Sequence, residues 1–225
     1  TKMSDNLSPV SSLSNLQKIE ALAKQISLLI EQKGVDSLEV GLSYKDLGDL
    51  FLETDQFKDA LEVYKKAEPI ILQNKGEDSA EYADITHNFG IIFHEQGKYD
   101  DALMFFKKAF TIKAELFSSD SLEVADSYLM IGSCYLNQAK YPEAVEYSLK
   151  ALHLRELFLG EFDPSLFVCY NNLGFIYSNQ AKYEISLDYF QKALEIKPIS
   201  GTEYDKESAV TYNNVGMVYC KLGKH

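Results

Sequence analysis

Two histidines, His87 and His94, stand seven residues apart, which on a helix puts them on one face but ~10 Å apart along its axis. One metal ion cannot span that gap without a ligand from a second element. His94-Glu95 places a ligand beside a base, yet the second histidine of a metalloprotease helix is missing. Gly223-Lys224 has the ending of a phosphate loop, but the glycine spacing is wrong and no Ser or Thr follows. Cys134, Cys169 and Cys220 are 35 and 51 residues apart, an odd total with no C-x-x-C pair. Such spacing is cytosolic usage rather than a zinc site or a disulfide framework, and the three read as small packing residues. No catalytic constellation, cofactor site or metal site follows, so a non-enzymatic chain is expected.

Amides and carboxylates remain. Asn88, Asn172 and Asn214 recur at one position of a 42-residue spacing, and Asn171 and Asn213 directly precede two of them. An amide offers a donor pair and an acceptor, so a row of them suits either an extended peptide backbone or the bracing of neighbouring elements. Asp46, Asp49 and Glu53 fall on one face of a helix, with Glu95 nearby. That stripe fits a basic partner segment or a solvated acidic face.

The elements that carry these side chains are repeats. Gly48, Gly90, Gly132, Gly174 and Gly216 are each 42 residues apart, in YKDLGDLF, THNFGIIF, YLMIGSCY, YNNLGFIY and YNNVGMVY. Ten of the twelve glycines obey the same period, which chance does not produce. Tyr128, Ile131 and Tyr135, or Tyr170, Leu173 and Tyr177, line one helix face at steps of three and four. A polar turn reading DQF, GKY or AKY follows. A second helix then alternates small and large residues, as in Ala60-Tyr64-Ala67 and Ala102-Phe106-Ala109. Glycine and alanine let paired helices approach while aromatics fill the gaps. Asp36–Glu39, Asp78–Glu81 and Asp120–Glu123 resemble capping boxes, Asp163-Pro164 reads as a cap followed by a first helical proline, and Asp205 opens a fifth repeat. Pro69, inside a predicted second helix, predicts a kink or an early end.

This pattern of aromatic–x–x–apolar–Gly–x–x–aromatic, then Ala, aromatic and Ala, resembles tetratricopeptide repeats (TPR), in the long form found in kinesin light chains. The resemblance covers roughly residues 35–225 and is densest in YNNLGFIY and LGEFDPS. It departs where tryptophan often opens the motif, since Tyr44, Thr86, Tyr128, Tyr170 and Tyr212 stand there. The resemblance implies an all-α, right-handed superhelical solenoid of antiparallel helix pairs. Residues 1–12 are expected to be a disordered lead-in and 13–33 a capping helix, a degenerate second helix of a repeat, with the tail of a coiled coil as the alternative. Residues 35–225 then hold four full repeats plus the first helix of a fifth, and further repeats are expected beyond the C-terminus.

In this family the first helices line the concave groove, so the residues expected there include His87, Asn88, His94, Asn171, Asn172, Phe175, Asn179, Asn213, Asn214 and Met217. The acidic stripe Asp46, Asp49, Glu53 and Glu95 belongs to the same face. Similarly placed asparagines of light chains hold cargo peptides, which the resemblance extends to this row, although Met130 interrupts it. A clamp for acidic chaperone tails is not expected, because Asp49 replaces the family's asparagine beside Lys45, and Leu129 and Ser133 replace its later basic residues.

Composition bounds the partners. The 225 residues are 46% hydrophobic and carry a net charge of −12, which suits a folded soluble chain and lacks the basic footprint of a nucleic-acid binder. The same balance disfavours an anionic membrane surface, and no apolar run approaches the ~18 residues of a spanning helix. The charge is uneven: residues 37–78 carry −5 and 205–225 carry +1. The expected role is a scaffold or adaptor that holds a protein or peptide segment, basic in one version, in its groove. The alternatives are an architectural subunit of a motor, ciliary or cytoskeletal assembly, or a sensor module of a longer multidomain protein. The expected setting is the cytoplasm, with the cytoskeleton or cilium as the narrower version.

Overall fold

The computed structural model describes residues 14–196 and 206–223. The expected lead-in at 1–12 and the opening residue Asp205 lie outside them. Among the described residues the regular structure is helical, with no strand, and the chain divides into two compact units, Thr1–Ile92 and Phe93–His225.

The N-terminal unit holds α1 (Asn15–Lys33), α2 (Leu38–Glu53), α3 (Phe57–Lys75) and most of α4 (Ala80–Glu95). Helix α1 opens with a reciprocal cap. Ser14 Oγ accepts the Gln17 N–H at 3.4 Å, while Gln17 Oε1 accepts the Ser14 N–H at 2.9 Å. Its apolar face, with Ile19, Leu22, Ile26 and Ile30, packs on Leu47 of α2 and Val63 of α3. The α2–α3 pair closes where Gly48 meets the fully buried ring of Tyr64.

The C-terminal unit begins at the end of α4 and continues through α5 (Tyr99–Phe117), a 3-10 turn (Leu122–Val124) and α6 (Ala125–Asn137). Helices α7 (Tyr141–Leu159), α8 (Leu166–Asn179), α9 (Tyr183–Glu195) and α10 (Lys206–Lys221) follow. Leu129, Leu152, Leu166, Leu173, Ala193 and Ile196 join α6 to α9 in one core. In the third repeat Ser148 takes the place that Tyr64, Phe106 and Phe190 hold in the others. Among the described residues its buried hydroxyl has no hydrogen-bond partner, and neither has that of Ser127.

The turn between paired helices bends the same way each time. Asp55, Gly97, Ala139 and Ala181 sit at φ 57°, 72°, 57° and 58°, the left-handed region that costs a non-glycine residue roughly 1–2 kcal/mol. Tertiary packing therefore imposes this turn even where alanine opposes it.

Two local expectations fail, and of the two alternatives at Pro69 the early end does not occur. The Asp36 and Asp120 boxes do not form: Ser37 and Ser121 are the N-caps of α2 and the 3-10 turn, without side-chain cap bonds. In the second repeat Ser79, rather than Asp78, accepts the Tyr82 N–H at 3.3 Å. Pro164 precedes the helix rather than opening it. Ser165 is the N-cap of α8, and the Asp163 carboxylate accepts the Ser165 N–H at 2.9 Å. Finally, α3 runs through Pro69 to Lys75 without an early end. Pro69 and Lys65 are both exposed, so the carbonyl that loses its donor faces water, which can replace it.

Candidate functional site

In the N-terminal unit the acidic stripe is one side of a hydrogen-bonded cluster. Asp49 Oδ1 accepts the Tyr64 hydroxyl at 2.6 Å and Asn88 Nδ2 at 2.8 Å, and Asn88 Nδ2 also donates to Tyr64 Oη at 2.8 Å. Asp49 Oδ2 accepts Lys45 Nζ at 2.9 Å. Burial works against the Lys45 ammonium, but its hydrogen bond to Asp49 and the charges of Asp49, Asp84 and Asp46 outweigh it and raise its pKa. Burial and the Asp49 carboxylate push the Tyr64 hydroxyl far above the ordinary phenol range, so it remains a donor.

Asp49 and Asn88 are thus committed within the chain: they tie α2, α3 and α4 together. Asp46 and Glu53 are exposed beside them. Partial burial and the neighbouring Asp49 raise the Asp46 pKa against the opposing pull of Lys45. A cleft of about 480 Å³ between α1 and α2 is lined by Lys18, Gln25, Asp46, Asp49 and Glu53. A second, of about 370 Å³, is lined by Lys45, Asp49, Leu52, Glu53, Asp84 and Asn88. His87 lies half-buried on α4.

In the C-terminal unit the asparagines divide into two groups. Asn171 Oδ1 accepts the Thr211 hydroxyl at 3.1 Å, which braces α8 against α10. Asn179 Nδ2 donates back to the Phe175 carbonyl of its own helix at 2.9 Å. Asn172 and Asn214 are half-buried and Asn213 is exposed, and their side chains make no hydrogen bond among the described residues. Beside them Phe175 and Met217 are 40% and 45% exposed. His94 is held in place: Nε2 lies 3.1 Å from both Ser133 Oγ and Asn137 Nδ2, and Nδ1 lies 3.2 Å from Glu95 Oε1.

The remaining reactive groups are turned to packing. Burial pushes the Cys134 thiol up to about 12. It also raises Cys169, despite the Arg155 guanidinium beside it. Arg155 is almost fully buried, donates to the Ser165 carbonyl at 2.7 Å and pairs with Asp126, fixing the α7–α8 turn. Among the described residues no group of three His, Cys, Asp or Glu is placed to hold a metal ion, and no helix is long and apolar enough to cross a membrane.

Sequence reasoning missed Tyr64 as the hub of the N-terminal cluster. The signal was present: the equivalent residues are Phe106 and Phe190, and only the first repeat pairs a tyrosine there with an aspartate after its lattice glycine.

Comparison with known proteins agrees with this architecture. Residues 123–199 and 83–123 match two models of the tetratricopeptide repeat, which together span more than half of the chain. The fold is similar to that of BtubC (BKLC) from P. vanneervenii, with a TM-score of 0.74 at 20% identity over 95% of this chain and 86% of that one. It is also similar to the nearly identical TPR-like repeats of a Podosopora anserina protein assigned to the kinesin light chains. There the TM-score is 0.65 at 14% identity, over 81% of this chain and 87% of that one. No curated protein is similar enough in sequence to match. Repeats of this family are in general protein-interaction scaffolds rather than enzymes. Repeat period, paired helices and family match lead to one assignment: the chain is a tetratricopeptide-repeat protein, all-α, with a fold similar to kinesin-light-chain repeats.

Proposed function

We propose that the chain is a non-enzymatic adaptor that holds an extended segment of a partner protein against its first helices. The observation that carries this reading is the set of amides on α8 and α10, Asn172, Asn213 and Asn214, without partners among the described residues and next to exposed Phe175 and Met217. Asparagine is a poor mid-helix residue, so amides that brace nothing fit a role in binding. They would pair with a peptide backbone, while the apolar neighbours seat its side chains. A photo-crosslinking residue placed at Phe175 tests the location in cells. It is expected to capture a polypeptide that the same residue at exposed Met104 does not, and equal capture at both would contradict the reading.

The N-terminal unit adds a charge preference. Asp46 and Glu53 face the solvent while Asp49 is engaged, so the first two would meet a lysine or arginine of the ligand. Replacing both by lysine, with Asp49 intact, is expected to weaken binding of an oligolysine peptide about tenfold without loss of helicity. Unchanged affinity would remove the preference. Reversing Asp49 would instead report on the α2–α4 brace.

A further inference from the structure

Helices that hold the same place in successive repeats end differently in the two units. In the N-terminal unit α1 and α3 close on Gln32-Lys33 and Asn74-Lys75; one and two periods on, α5 and α7 close on Leu116-Phe117 and Phe158-Leu159. Where lysine stands, it meets the following first helix: Lys33 pairs with Glu39, and Lys75 with Glu81 at 2.9 Å. The apolar replacements do not turn inward. Leu116, Phe117, Phe158 and Leu159 are 44%, 45%, 52% and 40% exposed, and Phe162 beside them is 78% exposed. The fold does not require large apolar side chains here, since polar ones complete the same helix ends in the other unit. Single exposed leucines are ordinary, but adjacent pairs at one place in successive repeats make a patch. Phe110 and Ala114 of α5 and Leu154 of α7 pack in one cluster with Leu122 and Val124 of the 3-10 turn, which brings both helix ends to a single edge.

The charge at these ends is negative. Neither α5 nor α7 has a basic residue in its last turn. Glu115 and Glu156 stand there instead, against the negative end of the helix dipole. Beyond α7 a cleft of about 570 Å³ is lined by Leu157, Phe162 and Tyr170 together with Glu156, Glu161 and Glu195. Lys192, which also lines it, is paired with Asp188 at 3.6 Å. Apolar side chains and carboxylates thus share one edge, and the carboxylates and the helix dipoles both favour a cation.

We propose that this edge is a docking surface for an amphipathic helix of a partner protein, with leucine or aromatic side chains along one face and Lys or Arg flanking them. The edge offers side chains only: among the described residues there is no strand to extend. An extended segment laid on Leu and Phe would bury its own N–H and C=O groups unpaired. A helix satisfies those groups internally and presents apolar side chains at i, i+3, i+4 and i+7. Its cations would meet Glu115, Glu156 and Glu161. A second copy of this chain would set those carboxylates against one another, and an anionic membrane surface would be repelled by them. The edge is built from the ends of second helices, so it is separate from the amides of α8 and α10.

The test is fluorescence anisotropy with the intact chain and the labelled model helix LKKLLKLLKKLLKL, with LEELLELLEELLEL as the acidic reference. The lysine helix is expected to bind at least about tenfold more tightly than the acidic one. Phe117→Lys with Leu159→Lys, which installs the residue type of Lys33 and Lys75, is expected to weaken it about tenfold or more. Leu28→Lys with Met104→Lys removes exposed apolar side chains and adds the same charge elsewhere, and should change the affinity less than about twofold. Thermal melts of both pairs should match that of the unaltered chain, because all four positions are exposed. The proposal is overturned if the acidic helix binds as well, or if both lysine pairs weaken binding equally. It is also overturned if Phe117→Lys with Leu159→Lys abolishes self-association in sedimentation equilibrium or adsorption to phosphatidylcholine vesicles, which would assign the patch to a second copy or to lipid.

Discussion

Alanine in place of Gly174 is expected to destabilise the C-terminal unit by about 1–3 kcal/mol, whereas alanine at Gly216 should be neutral or stabilising by up to about 1 kcal/mol. The two glycines are one period apart and hold the same place in first helices of the same kind. Their surroundings differ. A Cβ at Gly174 would lie 2.6 Å from Phe190 Cδ1 and 2.7 Å from Cε1. Phe190 is fully buried in the pair, so its ring cannot swing into solvent. Helix α8 or α9 must shift instead, and Ser186, which donates to the Gly174 carbonyl at 2.6 Å, would move with it. Among the described residues nothing lies within 4 Å of a Cβ at Gly216, so in this chain only the backbone entropy that alanine saves remains.

Gly132 falls between the two. Its nearest neighbour would be Ser148 Oγ at 2.8 Å, with backbone atoms at 3.3 and 3.4 Å, so alanine there should cost less than at Gly174. Urea titrations of the three variants followed by circular dichroism measure the series. Equal losses at Gly174 and Gly216 would contradict the packing account. Because repeats unfold as coupled neighbours rather than as one block, the comparison belongs between variants and not with an absolute stability.

The glycine period was legible because a close helix crossing admits no side chain, and the sequence must repeat that solution in each repeat. Helix pairing, the order of first and second helices and Pro142 in the first turn of α7 follow from the same periodicity. Caps were less legible. Ser, Asp and Glu near a helix start have several local partners to choose among, and the loop path decides which one wins, as Asp163 and Ser165 show. Gly41, off the main period, is another close contact that spacing did not reveal: a Cβ there would lie 2.7 Å from Ile70 Cγ2.

The candidate site was legible only as a set of positions. Lattice spacing places Asn88, Asn171 and Asn172 on equivalent faces, but their tasks depend on what the neighbouring repeat supplies. Asn88 meets Tyr64 and Asp49, Asn171 meets Thr211, and the Asn172 side chain makes no hydrogen bond among the described residues. A hydroxyl on one ring and a hydroxyl on one helix make the difference, and neither changes the repeat pattern. The acidic stripe divides for the same reason, with Asp49 drawn into the fold and Asp46 and Glu53 left on the surface.

The adaptor reading therefore rests on the amides that make no hydrogen bond among the described residues. Each hydrogen bond to a peptide backbone is worth about 0.5–1.5 kcal/mol net. Losing those of Asn172 and Asn214 together should weaken a bound peptide by about 1–3 kcal/mol, roughly 5- to 150-fold. Since alanine is the better helix former, the substitutions should leave stability unchanged or slightly higher. The most direct measurement is calorimetric titration of a peptide selected on the unaltered chain, repeated with Asn172→Ala combined with Asn214→Ala. A loss of at least about fivefold with an unaltered melting curve is the predicted result. Undiminished affinity for every selected peptide would contradict the claim that this face holds the partner.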